Sequence, residues 1–157
     1  MADQKLNRSL TRVLECAIEE ASARRAPAVE AEHLLLALAS DEVLAARRVL
    51  IEAGLDRDGI EAALDRERTE SLSAVGVGPL DEELFTATPR QTRPGWGTST
   101  KEAIQRGRAI GGQDGRRRPA ETELLLGILT ASLGTVPRAL AFAGVDRESL
   151  LDRARAA

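Results

Sequence analysis

The chain has 157 residues, 43% of them apolar and 30% charged, with a formal charge of −3. That balance suits one compact domain, or two small halves sharing a core, and excludes the strong basic excess of a phosphate-driven nucleic-acid binder. Aromatic residues make up only 2% and Tyr is absent, so the core must come from Leu, Ala, Val and Ile, which favours packed helices over a sheet.

The first helix is an apolar stripe of Leu6, Leu10, Val13, Leu14, Ala17, Ile18 and Ala21 at spacings of three and four. Asn7 is its expected N-cap, and Pro27 closes the segment. Cys16, the lone cysteine, sits within the stripe's pattern and reads as a buried structural thiol of a reducing compartment. A second helix begins near Ala31 and carries Leu34 to Leu38, apolar on too many sides for a surface helix. It should be the buried centre of the unit. Asp41 is expected to cap a third helix through Val43, Leu44, Ala46, Val49 and Leu50, which Gly54 ends in a left-handed turn. Asp56 or Asp58 opens a fourth, with Ile60, Ala63 and Leu64 inward.

The same text then recurs. Glu32-His33-Leu34-Leu35-Leu36-Ala37-Leu38 is answered by Thr122-Glu123-Leu124-Leu125-Leu126-Gly127-Ile128, and Ala53-Gly54-Leu55-Asp56-Arg57 by Ala143-Gly144-Val145-Asp146-Arg147. One offset of 90 aligns both pairs (33 to 123, 54 to 144), which marks two copies of one helical unit. In the second copy Trp96 takes the place of Leu6, and Ala103, Ile104, Gly107 and Ile110 replace the first stripe. Gly107, Gly111 and Gly112 should each weaken that helix by roughly 1 kcal/mol relative to Ala. Glu121 to Leu129 repeats the buried helix, Pro137 falls in the first turn of the next, Gly144 ends that one, and Asp146 caps the last.

These boundaries give a first repeat at 6–66, a linker at 67–95 and a degenerate second repeat at 96–156. Within the linker, Pro79 to Phe85 allows a helical turn or two, and the stretch holding Pro89 and Pro94 should be extended. The N-terminus has no apolar signal core and no apolar run reaches spanning length, so a cytoplasmic protein without membrane contact is expected.

The residues Glu19-Glu20-Ala21, then Val29, the Glu32-to-Leu38 block and Ala53-Gly54-Leu55-Asp56 resemble the Clp N-terminal repeat, which occurs in pairs at the front of ClpC-, ClpA- and ClpB-type AAA+ unfoldases. The likeness covers about 6–66 strongly and 96–156 weakly. No Gly-x-x-x-x-Gly-Lys-Ser/Thr phosphate loop is present, so the chain resembles a stand-alone N-domain without its motor. The resemblance implies an all-α fold of two four-helix repeats related by a pseudo-twofold and joined by a long linker. It implies binding of substrates, adaptors or Clp unfoldase components and, as in the ClpC branch, of phosphoarginine. A decoy or regulatory protein that sequesters N-domain ligands or adaptors through the inter-repeat groove is the alternative.

Under that resemblance Glu32 is the acidic residue that contacts the guanidinium of phosphoarginine, flanked by Glu30 and His33. The family commonly carries Gly-Thr before this Glu; here Glu30-Ala31 adds a charge and removes a hydroxyl. In the second copy Thr122 replaces the Glu, with Glu121 and Glu123 to either side, so that pocket should be lost. His33, the only histidine, has no Cys/His set for a metal and reads as structural. Phe85 and Trp96 are candidate groove or linker contacts, with Trp96 read as a core anchor. Arg116, Arg117 and Arg118 form a basic loop that offers an anion contact, but without interleaved aromatics nucleic acid is disfavoured. No catalytic set, cofactor motif or metal cluster is visible in the sequence, and binding without catalysis is the expectation.

Overall fold

The computed structural model describes residues 2–76, 93–112 and 119–157, with side chains from Arg8 onward. Among these residues it holds eight helices: α1 (Ala2–Ala23), α2 (Ala31–Ser40), α3 (Ala45–Glu52), α4 (Arg57–Ala74), α5 (Thr98–Gly111), α6 (Glu121–Leu129), α7 (Thr135–Phe142) and α8 (Arg147–Ala156). Two short strands, β1 (Ala28–Val29) and β2 (Gly95–Trp96), precede α2 and α5 and pair in parallel, Ala28 with Gly95 and Val29 with Trp96. The architecture is all-α, four helices to each repeat. Phe85, the Pro79–Phe85 stretch and Arg116 to Arg118 lie outside the described residues. No described helix is long and apolar enough to cross a membrane.

The buried centre is where the repeated text puts it. All of α2 except Glu32 and Ser40 is buried, and so is α6 from Leu124 to Leu129. The two helices meet across the repeats, and Leu34, Leu36 and Leu38 share one core with Leu124, Leu125 and Ile128. A fully buried Leu or Ile contributes about 1.5–3 kcal/mol of transfer free energy, so this Leu-rich block does the main cohesive work. In both repeats the third helix stops in the same way. Gly54 (φ 78°) and Gly144 (φ 70°) take the left-handed turn, and Leu55 and Val145 donate back to the Leu50 and Leu140 carbonyls at 2.8 and 3.1 Å. Asp56 and Asp146 then cap the fourth helices, accepting from the Gly59 and Glu148 N–H groups at 2.7 and 3.2 Å.

The repeats are also locked by α4 against α7. Glu67 is buried there but fully engaged: Arg138 Nε donates to it at 2.8 Å and Ser71 Oγ at 2.6 Å. One turn away the Arg66 guanidinium lies over the Phe142 ring, 5.4 Å from its centre, and donates to the Phe142 carbonyl at 3.2 Å.

Three expectations are corrected. Asn7 lies inside α1, because Asp3-Gln4-Lys5 contains no helix breaker and the helix extends to Ala2. Trp96 does not anchor the core. It is 41% exposed, and the entry into α5 is held instead by hydrogen bonds: Gly97 N–H to the Val29 carbonyl at 2.8 Å and Thr100 Oγ1 to the same oxygen at 2.7 Å. Gly107 is not simply a weak point of its helix. It packs where a Cβ would lie 3.0 Å from the Glu123 carbonyl, while a Cβ on Gly127 would lie 2.2 Å from the Ala103 carbonyl.

At the equivalent positions of the first repeat stand Ala17 and Ala37. Glycine therefore lets α5 and α6 approach at a place where α1 and α2 still accommodate alanine. Gly127→Ala should gain about 1 kcal/mol of helix propensity yet lose about 1–3 kcal/mol to overpacking against backbone that cannot move aside. A thermal melt followed by circular dichroism should show a lower Tm for Gly127→Ala, and no decrease would refute the close-approach argument.

Candidate functional site

The start of α2 is built from both repeats. Glu30, its extended N-cap residue, sends its carboxylate to the first turn of α5, where Ser99 N–H donates to Oε2 at 3.0 Å and Ser99 Oγ donates to the same oxygen. That hydroxyl in turn accepts from Ala31 N–H at 2.8 Å. Ser99 thus supplies, from the opposite repeat, the hydroxyl that Ala31 lacks. Gly97 makes room for the arrangement, since a Cβ there would lie 2.1 Å from Glu30 Oε1.

His33 is buried, and its Nδ1 accepts the Glu30 N–H at 2.9 Å. The proton of the neutral ring therefore sits on Nε2. Burial lowers its pKa to about 4, with Arg24 pushing the same way and Glu30 opposing. Ninety residues on, Glu123 Oε2 makes the matching bond to Ala120 N–H at 2.7 Å. His33 is thus one half of a helix-start clasp that the second repeat builds from a carboxylate.

Glu32 is half-buried between these groups. Burial raises its pKa and Glu30 adds to the rise, while its own backbone N–H and the positive charge of Arg24 oppose it. Among the described residues no cation forms an ion pair with it. Glu32 lines two clefts. One, of about 340 Å³, lies between the end of α1 and α4 and is rimmed by Arg24, Arg25, Glu67 and Arg68. The other, of about 440 Å³, lies between α5 and the α6–α7 turn and is lined by Glu102, Arg106, Leu133, Val136 and Pro137. Leu133 is 87% exposed, the most exposed large apolar side chain among the described residues. Trp96 lines neither of these two clefts.

The second repeat uses its acidic residues differently. Glu121 reaches α3 of the first repeat and accepts from Ala45 N–H and Ala46 N–H, both at 3.0 Å. Burial raises its pKa, and those two bonds oppose the rise. Asp41 therefore does not cap α3. It turns back to accept from Val43 N–H at 3.1 Å and pairs with Arg12 at 2.7 Å, leaving the helix end to the longer side chain from across the interface. Sequence reasoning missed both Glu121 and Ser99. The available signal was that Glu121 aligns with Ala31 and Glu30 with Ala120, an acidic residue displaced by one position between the copies.

Among the described residues no three His, Cys, Asp or Glu side chains gather to ligate a metal. Cys16 is half-buried and its thiol pKa is raised by burial and by Glu20 and Glu19, which keeps it in the unreactive protonated form.

Two outcomes follow. Glu121→Ala should cost about 1–2 kcal/mol by uncapping α3, read as a lower denaturation midpoint, whereas Asp41→Ala should cost less. For His33 the folded pKa is about 4 against 6.5 for the free side chain, so its contribution is present above 6.5 and is lost as pH falls toward 4. Glu32 and Glu121, with raised pKa values, act in the opposite sense. Comparing Tm with pH for the wild type and His33→Gln isolates the histidine: the variant should lose up to about 3 kcal/mol less over that window. Parallel curves would remove His33 from the account.

Comparison with known proteins places this arrangement. The family model for the Clp repeat (R) N-terminal domain matches residues 5–88, more than half of the chain. A search of the curated proteins finds no match. Among solved structures, the N-terminal domain of the caseinolytic protease associated chaperone ClpD from Arabidopsis thaliana superposes with a TM-score of 0.66 at 19% identity, over 99% of this chain and 96% of that one. At that identity the likeness concerns the fold. With eight helices in two repeats and the matched family text, the chain belongs to the Clp repeat N-terminal domain family.

Proposed function

We propose that this domain is a non-catalytic protein-binding module of the Clp proteolytic system, which seats a cationic side chain of a substrate or adaptor segment on Glu32. The observation that carries the reading is the state of that carboxylate. It is partly withdrawn from water, it has no ion-pair partner among the described residues, and Glu32 lines two clefts at the junction of the repeats. Most acidic groups near it are spent, Glu30 on Ser99, Glu67 on Arg138, and Glu61 and Asp65 on Arg24 at 3.3 and 2.8 Å, and Glu102 stands exposed, 3.8 Å from Arg106. A carboxylate held partly desolvated and unpaired is costly for a fold to keep, and a guanidinium from outside would repay that cost. The exposed Leu133 beside the larger cleft gives an apolar neighbour for the residues flanking that cation.

Calorimetric titration of an arginine-containing peptide tests the reading. Glu32→Gln should weaken binding roughly tenfold to a hundredfold, the worth of a hydrogen bond to a charged group. In the wild type, affinity should fall with decreasing pH at a higher pH than an ordinary glutamate would give, because protonating the raised Glu32 removes the charge that holds the ligand. Unchanged affinity in Glu32→Gln would reject Glu32 as the seat.

A further inference from the structure

Phosphoarginine and arginine differ by a phosphoryl group bonded directly to the guanidinium. Any site that takes the guanidinium of the phosphorylated form on Glu32 must therefore offer donors within a bond or two of that carboxylate. The first turn of α2 is the natural place, since helix N-termini bind phosphate through free N–H groups.

In this chain three of those groups are already used. Ala31 N–H is held by Ser99 Oγ at 2.8 Å, and His33 and Leu34 N–H by the Glu30 carbonyl at 3.0 and 3.4 Å. The next nearest donors, Ser99 N–H and Ser99 Oγ on α5, are held by the Glu30 carboxylate. A negative charge thus stands where a phosphate would need hydrogen bonds.

The surrounding charges point the same way. The larger cleft carries three carboxylates, Glu30, Glu32 and Glu102, against one guanidinium, and that one is spent: Arg106 Nε donates to the Gly127 carbonyl at 2.8 Å and Arg106 lies 3.8 Å from Glu102. The smaller cleft is balanced, with Arg24, Arg25 and Arg68 against Glu30, Glu32 and Glu67, and Arg24 is held there by Glu61 and Asp65. The donors left on the walls of the larger cleft, Thr98 and Thr135, are neutral. In the larger cleft a phosphoryl group, which carries a charge of about −1.5 to −2 near neutral pH, would be surrounded mainly by like charge.

We infer that Glu30 makes the larger cleft selective for unphosphorylated arginine on a basic segment and excludes phosphoarginine from it. The inference rests on the seat at Glu32 and deepens it: Glu32 attracts the guanidinium, and Glu30 rejects the phosphoryl group, by consuming its donors and by repulsion. Selectivity arises here from a repulsive element as much as from an attractive one.

The test uses the full chain and two short fluorescent peptides, identical except that one carries arginine and the other phosphoarginine at the centre. Fluorescence anisotropy should give wild-type affinity at least about tenfold higher for the arginine peptide, the scale of one charge-assisted hydrogen bond. Glu30→Ala frees the Ser99 donors and removes the charge, so it should narrow that ratio roughly tenfold or more. Glu30→Gln keeps an acceptor for Ser99 and removes only the charge, so an intermediate ratio is expected, and it serves should Glu30→Ala fold poorly. Tighter wild-type binding of the phosphoarginine peptide would overturn the inference and leave Glu32 as the seat. A ratio unchanged in both variants would overturn Glu30 as the determinant. Binding of neither peptide would overturn the seat itself.

Discussion

The starts of α2, α3 and α5 are closed from the opposite repeat. Glu121 on α6 satisfies the first two N–H groups of α3, and Glu30 before α2 holds Ser99 in the first turn of α5. A helix start leaves four N–H groups without intrahelical partners, and burying them unpaired would cost more than most single contacts return. In a protein of two packed repeats these ends lie at the junction, so water cannot serve them freely. Long acidic side chains reach across and do so, and the same bonds set the relative placement of the repeats. The apolar core, being non-directional, favours any compact packing of α2 on α6. The carboxylate caps select among those packings.

This division of labour explains why the two copies differ near the junction. Glutamate at 121 fills the end of α3, whereas its counterpart Ala31 leaves the end of α7 without a side-chain cap. The cleft along α7 stays open, and Glu32 remains beside it without an ion-pair partner among the described residues. In the second copy Thr122 stands at that position, and the acidic residues on either side are bound into the structure, Glu121 on α3 and Glu123 on Ala120. The two copies thus use their acidic residues at these positions differently, the second binding Glu121 and Glu123 into the fold and the first leaving Glu32 at the edge of two clefts. The glycines at 107 and 127 belong to the same specialisation: they let α5 approach α6 at backbone distance, where the first repeat keeps alanines.

His33 shows how one interaction can serve several ends. Its Nδ1 fixes the Glu30 backbone, which aims the Glu30 carboxylate at Ser99, and burial holds the ring neutral so that Nδ1 can accept. A protonated ring would lose that acceptor and turn a donor against an N–H group. The histidine beside Glu32 is therefore a positioning residue for the cleft. Its place in the Glu-His-Leu-Leu-Leu block follows from capping chemistry.

Much of this was legible in the sequence. The 90-residue offset located both repeats, the Leu-rich blocks named the central helices, and Gly54, Gly144 and Asp146 marked ends through local rules of φ and capping that need only neighbouring residues. Asp41 and Trp96 were misread, and Glu121 and Ser99 were missed, for a common reason: each role depends on a residue about 70 positions away. Ser99 is read correctly only once Glu30 is beside it, and Asp41 only once Glu121 has taken the end of α3. The sequence by itself determined the helical repeats, the glycine-marked ends of their third helices and the Leu-rich centre, because periodicity, glycine conformation and short-range caps act within a turn or two. Which carboxylate is consumed and which is left free was decided only by tertiary structure, because a side chain's partner depends on distance in space.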